Sequence, residues 1–151
     1  MLAKTYSAAV VGIDAFPVEV EIHADRKGAN SPSAVSIVGL PDAAVKESRD
    51  RVRSALQSSG CPLLQGTTVI NLAPADLRKE GAAFDLPIAL VMLAAAGEID
   101  GAKLAGAAVV GELALDGTVR PVRGVLSIAL RMREEKQVCL LYTSPSPRDR
   151  S

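Results

Sequence analysis

Aromatic residues are scarce in this 151-residue chain, which has two Tyr, two Phe and no Trp. Its core must therefore be assembled from Val, Leu, Ile and Ala, and a single-strand nucleic-acid platform built on stacked rings is disfavoured. Histidine is nearly absent. The single one, His23, falls on the Glu-bearing side of an alternating pattern, which makes it a solvated strand residue. The two cysteines, Cys61 and Cys139, share no C-x-x-C spacing, so neither metal nor redox chemistry is indicated. Excess charge of either sign is missing too, with 17 basic against 17 acidic residues. That balance argues against a dedicated nucleic-acid wrapper, although it leaves room for a local basic patch. No apolar run is long enough to span a bilayer, and the start lacks the charged-then-apolar pattern of a secretory leader. The reading is cytoplasmic, with no membrane contact. A phosphate-cradling G-x-x-x-x-G-K-[ST] loop is also missing. Gly28 and Gly101-Ala102-Lys103 lack the second glycine and the hydroxyl, so no ATP or other cofactor site is expected in this stretch.

What is present is enough for one domain with a real core: 48% of residues are hydrophobic and the mean hydropathy is +0.23. The pattern centres on Thr67 to Leu90, TTVINLAPADLRKEGAAFDLPIAL. Thr67, Val69 and Asn71 alternate with Thr68, Ile70 and Leu72 as a strand, which Pro74 ends because it has no N–H to give. A charged loop follows from Asp76 to Glu80. Asp85 then opens an apolar helix, placed as an N-cap with Pro87 in the first turn. A charged loop at the end of a buried strand is where α/β proteins usually hold chemistry.

The rest of the chain supplies partners for that unit. Met1 to Asp14 reads as a strand, and Val18, Val20 and Ile22 alternate with Glu19, Glu21 and His23 in a second. Val35, Ile37 and Val38 form a third, after a polar loop. Ala44, Val45, Ser48, Val52, Ala55 and Leu56 recur at helical spacing behind Pro41-Asp42. On that helix Glu47 and Arg51 make an i,i+4 pair, while Lys46, Arg49 and Arg53 share another face. Gly97 to Gly106 reads as a loop, Ala107 to Leu115 as a strand, and Asp116-Gly117 as a type I′ hairpin turn back to Thr118-Val119-Arg120. A last helix carries Val125, Ile128, Ala129 and Met132 inward. The order βββ-α-β-α-ββ-α predicts an α+β fold, a mixed sheet with helices packed on it.

Three segments carry a resemblance: INLAPADLRKEGAAFDLPIAL, VSIVGLPDAAVKESRDRVRSAL (Val35 to Leu56) and GELALDGTVRPVRGVLSIAL (Gly111 to Leu130). In this order the chain resembles the N-terminal domain of the YifB/ComM family, the magnesium-chelatase-like AAA+ ATPases of bacteria. The resemblance implies a ribosomal-protein-S5-domain-2-like fold, shared with the Lon protease catalytic domain. It also implies a hexameric, homo-oligomeric ring in the parent, with ATP and magnesium bound by an AAA+ module lying further along the parent chain. ComM-like relatives are DNA branch-migration helicases.

A Lon-like peptidase needs a serine nucleophile and a lysine base. Laying FDLPIAL and RPVRGVL on the corresponding Lon segments puts Asp85 at or beside the nucleophile and Leu126 at the base. Neither can perform that chemistry, and nearby Ser127 and Lys79 do not restore the pair. The peptidase reading is the disfavoured alternative. The favoured reading is a non-catalytic accessory domain that scaffolds the parent ATPase. Lys46, Arg49, Arg53, Arg78, Lys79, Arg120 and Arg123 are then candidates for contact with DNA phosphates or a neighbouring subunit. The domain is expected to occupy residues 1–138. From residue 139 the sequence, with LLYTSPSPRDRS at its end, resembles translated adapter sequence and reads as a non-native or disordered tail of a truncated gene.

Overall fold

The computed structural model describes residues 2–25, 33–79, 82–135 and, for the backbone, 138–141. Strands β1 (Leu2–Val11) and β2 (Asp14–Asp25) form a long hairpin about the two-residue turn Gly12-Ile13, with Val11 opposite Asp14 and Leu2 opposite His23. Strand β3 (Ala34–Val38) leads into helix α1 (Asp42–Ser58), and strand β4 (Thr67–Ala73) leads into helix α2 (Asp85–Ala95). The chain continues through helix α3 (Gly101–Ala105), β5 (Ala107–Val110), β6 (Glu112–Leu113), β7 (Val119–Arg120), α4 (Val125–Glu134) and β8 (Val138–Leu141). Six strands make one mixed sheet in the order β3-β4-β2-β1-β5-β8, and β6 and β7 form a separate two-stranded ribbon.

Alternation along the strands divides the core into two layers. Val18, Val20, Ile22, Ile70 and Leu72 are essentially inaccessible and pack with Val52, Ala55 and Leu56 of α1 and Ile88, Val91 and Ala95 of α2. On the opposite face Ala8, Ala15, Ala108 and Val110 meet Ile128 and Met132 of α4. Ala8 and Ala9 lie in different clusters, as adjacent residues of a strand must. Small strand residues beneath α4 let that helix sit close to a core with almost no rings.

Four local expectations are revised. The segment Gly97 to Gly106 holds a one-turn helix, because Asp100 accepts from the Ala102 N–H at 3.0 Å and caps it. The strand expected from Ala107 to Leu115 breaks at Gly111, whose N–H donates to Ala83 and whose carbonyl accepts from Leu86. A Cβ there would crowd the Leu86 side chain, so glycine lets the chain leave the main sheet and bind the entry to α2. The β6–β7 turn is a longer loop than type I′. Gly117 donates to the Ala114 carbonyl and then takes φ +93°, while Ala114 donates to Thr118. Finally, Cys139, Leu140 and Leu141 continue the sheet as β8, parallel to β5, so ordered strand extends past residue 138. The rest of the expected tail, 142–151, lies outside the described residues.

Candidate functional site

The loop between β4 and α2 brings two ionisable side chains into the interior. Pairing stops at Ala73, as the missing Pro74 N–H requires. Lys79 then turns inward, 1% exposed, with its ammonium donating to the Pro74 carbonyl and, at 3.0 Å, to the Leu77 carbonyl. Burial lowers its proton affinity below the ordinary lysine value, and Asp76 partly opposes that shift. This contradicts its expected part in a phosphate or subunit contact. The alkyl stem is apolar enough to bury, and two local carbonyls satisfy its head.

Asp85 is completely enclosed. Its role as a helix cap is also corrected: it is the first residue of α2, after Phe84, and its side chain makes no capping hydrogen bond. The free donors of the first turn are already taken. Asp85 N–H goes to Ala82, Leu86 N–H goes to Gly111, and Pro87 has none. The carboxylate is thereby released to point across the layer. Arg51 Nε donates to Oδ2 at 2.6 Å and Arg51 Nη2 to Oδ1 at 3.1 Å. The Ser48 hydroxyl donates to Oδ1 at 2.7 Å and the Leu113 N–H to Oδ2 at 3.2 Å. One carboxylate thus ties α1, α2 and β6 together. Donating to the Asp85 carboxylate raises the pKa of the Arg51 guanidinium above its usual range against the opposing effect of burial, with Asp85, Glu112 and Glu47 adding to it through their charge. The expected Glu47–Arg51 pair survives only as a peripheral contact of 3.9 Å.

The remaining basic residues divide by surroundings. Lys46, Arg49 and Arg53 are exposed on α1, as the spacing predicts. Arg49 Nη1 reaches the Val35 carbonyl at 3.3 Å, and Arg49 and Arg53 border a groove of about 340 Å³ between α1 and β3. Arg78, Arg120 and Arg123 are exposed on other parts of the molecule. Arg123 borders a second, shallow hollow of about 520 Å³ with Ala83, Glu112 and Gly124. Leu126, expected from the sequence at the position of a Lon-type base, is 74% exposed on α4. Among the described residues no cluster of three acidic, His or Cys side chains is placed to hold a metal, and no helix is long and apolar enough to cross a membrane.

Sequence reasoning missed the Arg51–Ser48–Asp85 cluster. The available signals were a serine on the buried stripe of α1, an arginine three residues on, and an acid directly before an apolar run. The family assignment follows from comparison with known proteins. A family model described as subunit ChlI of Mg-chelatase matches residues 18–143. This chain belongs to that family. Within it the chain is similar to the YifB proteins of Escherichia coli (strain K12), 46% identical over 128 residues, and Salmonella typhimurium (strain LT2), 44% identical over 128 residues. Each alignment covers 85% of this chain and 24% of the relative. The competence protein ComM of Haemophilus influenzae is 41% identical over 140 residues, 93% of this chain and 27% of ComM. This ChlI-family chain therefore spans about a quarter of the length of these relatives, and it is a member of their YifB/ComM group.

Proposed function

We propose that this chain is a non-catalytic accessory domain of a YifB/ComM-type AAA+ ATPase. It has the Lon-protease-like, ribosomal-protein-S5-domain-2-like fold and works in the cytoplasm as a scaffold within a hexameric ring. ATP and magnesium belong, on this reading, to the AAA+ module of the parent chain. The observation that carries it is the state of Asp85. At the place where the Lon resemblance puts a nucleophile, the protein has a carboxylate at 0% exposure whose oxygens are all committed to Arg51, Ser48 and Leu113. A group so enclosed cannot reach a substrate, and it holds two helices and a ribbon in register instead.

The surface offered for contact is the basic face of α1. Arg49 and Arg53 border an apolar-floored groove, which favours a protein neighbour, such as the adjoining subunit. A second reading, DNA contact, is favoured by the exposure of Lys46, Arg49 and Arg53 together on one helix face. The non-catalytic assignment is tested by incubating the chain with casein and fluorogenic peptides. No hydrolysis is expected, and time-dependent cleavage that disappears in Ser127→Ala or Lys79→Ala would overturn it.

A further inference from the structure

We infer that the outer edge of β3, with the groove beside it, takes an extended acidic segment of a partner protein as an added strand. The inference rests on reading α1 as a protein-contact face, and it names the chemistry of the partner. Among the described residues β3 is the terminal strand of the sheet and pairs with β4 alone, in parallel. The Ala34 N–H turns inward to the Gly66 carbonyl, so backbone groups of alternate residues, Val35 and Ile37, turn outward. The Val35 carbonyl confirms that direction, because it accepts from the exposed Arg49 side chain at 3.3 Å. Open edges are normally covered, and among the described residues the side chain that caps this one is the long cationic Arg49.

The groove along this edge is lined by Val35, Ile37, Val52, Leu63, Ile88 and Met92, with about 340 Å³ of space. It can receive an aliphatic side chain from every second residue of an added strand. Its rim is cationic. Arg49 and Arg53 stand four residues apart on one face of α1, where like charges repel, and among the described residues neither forms an ion pair with a carboxylate. Asp50 shares the rim, so acidic residues of the partner are favoured beside the two arginines and not along the whole groove. Docking would work by exchange. An incoming backbone N–H replaces the Arg49 donor on the Val35 carbonyl, and the released guanidinium pairs with an incoming carboxylate, a stronger charge-assisted bond.

The test uses the 151-residue chain and fluorescence anisotropy of short fluorescein-labelled peptides. One alternates Glu and Leu, a second alternates Lys and Leu, and a third is the Glu-Leu peptide with alternate backbone nitrogens methylated. The Glu-Leu peptide should bind, the Lys-Leu peptide should not, and methylation should weaken binding by about tenfold or more, because strand addition needs those N–H groups. The Arg49→Glu/Arg53→Glu double variant, with its fold checked by circular dichroism, should exchange the preference and bind Lys-Leu over Glu-Leu. Equal binding of the methylated and unmethylated peptides would overturn strand addition. Absence of Glu-Leu binding, or an unchanged preference in the folded double variant, would overturn the acidic-segment inference. In those cases the scaffold reading still stands if casein remains uncut, whereas cleavage of casein removes that reading whatever the peptides do.

Discussion

Arg51 meets Asp85 side-on, with Nε 2.6 Å from one carboxylate oxygen and Nη2 3.1 Å from the other, so a residue of α1 holds the first residue of α2. The geometry is bidentate, which fixes the relative rotation of the two helices as well as their separation. Its energetic value is asymmetric. Arg51 keeps about a quarter of its side chain in solvent and Asp85 keeps none. Removing either partner therefore has different consequences, since a freed Arg51 can hydrate and a freed Asp85 cannot.

Asp85→Ala should lower the unfolding free energy by about 3 kcal/mol, well beyond the ~1 kcal/mol of a lost helix cap. It removes the acceptor for three donors at once, counting Ser48, Arg51 and the Leu113 N–H. Urea denaturation of both single variants and the double variant with Arg51→Ala closes a cycle. A coupling of about 1 kcal/mol or more is expected. Additive effects would show that the two residues do not act as a unit.

Lys79 gives stability a pH dependence of definite sign. Burial lowers its folded-state pKa below the ordinary 10.5, so the folded chain releases this proton before the unfolded chain does. Within that interval unfolding takes up a proton, and stability rises with pH. The favourable contribution is fully present above the unfolded value and is lost as pH falls through the folded one. Urea midpoints of wild type and Lys79→Met, compared from about pH 8 upward, should therefore diverge in favour of wild type. Parallel curves would mean that Lys79 remains hydrated in solution.

Gly39 follows β3 with φ +102°, and a Cβ there would overlap the Leu72 carbonyl of β4. Gly39→Ala should destabilise the chain by roughly 2 kcal/mol, combining the backbone penalty with displacement of a core strand. Thermal unfolding provides the measurement. A melting temperature equal to wild type would show that the β3–α1 connection moves freely.

The last strand is tested by two chain ends. Ending the chain at Gln137 removes β8 and leaves β5 as the sheet edge, whereas ending it at Leu141 keeps the pairs Ala107–Val138 to Val110–Leu141. The shorter chain should be less stable by about 2 kcal/mol, a few net hydrogen bonds. Identical stability would make β8 dispensable to the domain.

Duplex DNA offers a separate measure of the α1 face. Three phosphate contacts from Lys46, Arg49 and Arg53 give a log–log salt slope of about −2.7, and two give about −1.8 if Arg49 stays on the Val35 carbonyl. Replacing all three with Gln should flatten the slope without unfolding the chain, because none belongs to the core. A salt-independent response shared by wild type and the triple variant would leave DNA out of this domain's function.

Much of the fold was legible because it rests on local periodicity. The alternation of Val18, Val20 and Ile22 and the helical spacing of Ser48, Val52, Ala55 and Leu56 specify which side chains face inward before any partner is known. Pro74 ended its strand through chemistry internal to one residue. The family was legible for a related reason, since the resemblance lies in the order of residues along stretches such as INLAPADLRKEGAAFDLPIAL and needs no knowledge of what they touch. The candidate site was not legible, because its meaning depends on contacts between distant segments. Asp85 resembled a cap because caps are read from neighbouring residues. Only the tertiary structure let Gly111 and Ala82 take the donors a cap would serve, and so turned the carboxylate toward Arg51, 34 residues earlier in the chain. Lys79 looked like a surface charge for the same reason, since the sequence does not show which backbone carbonyls a loop will fold over its ammonium group.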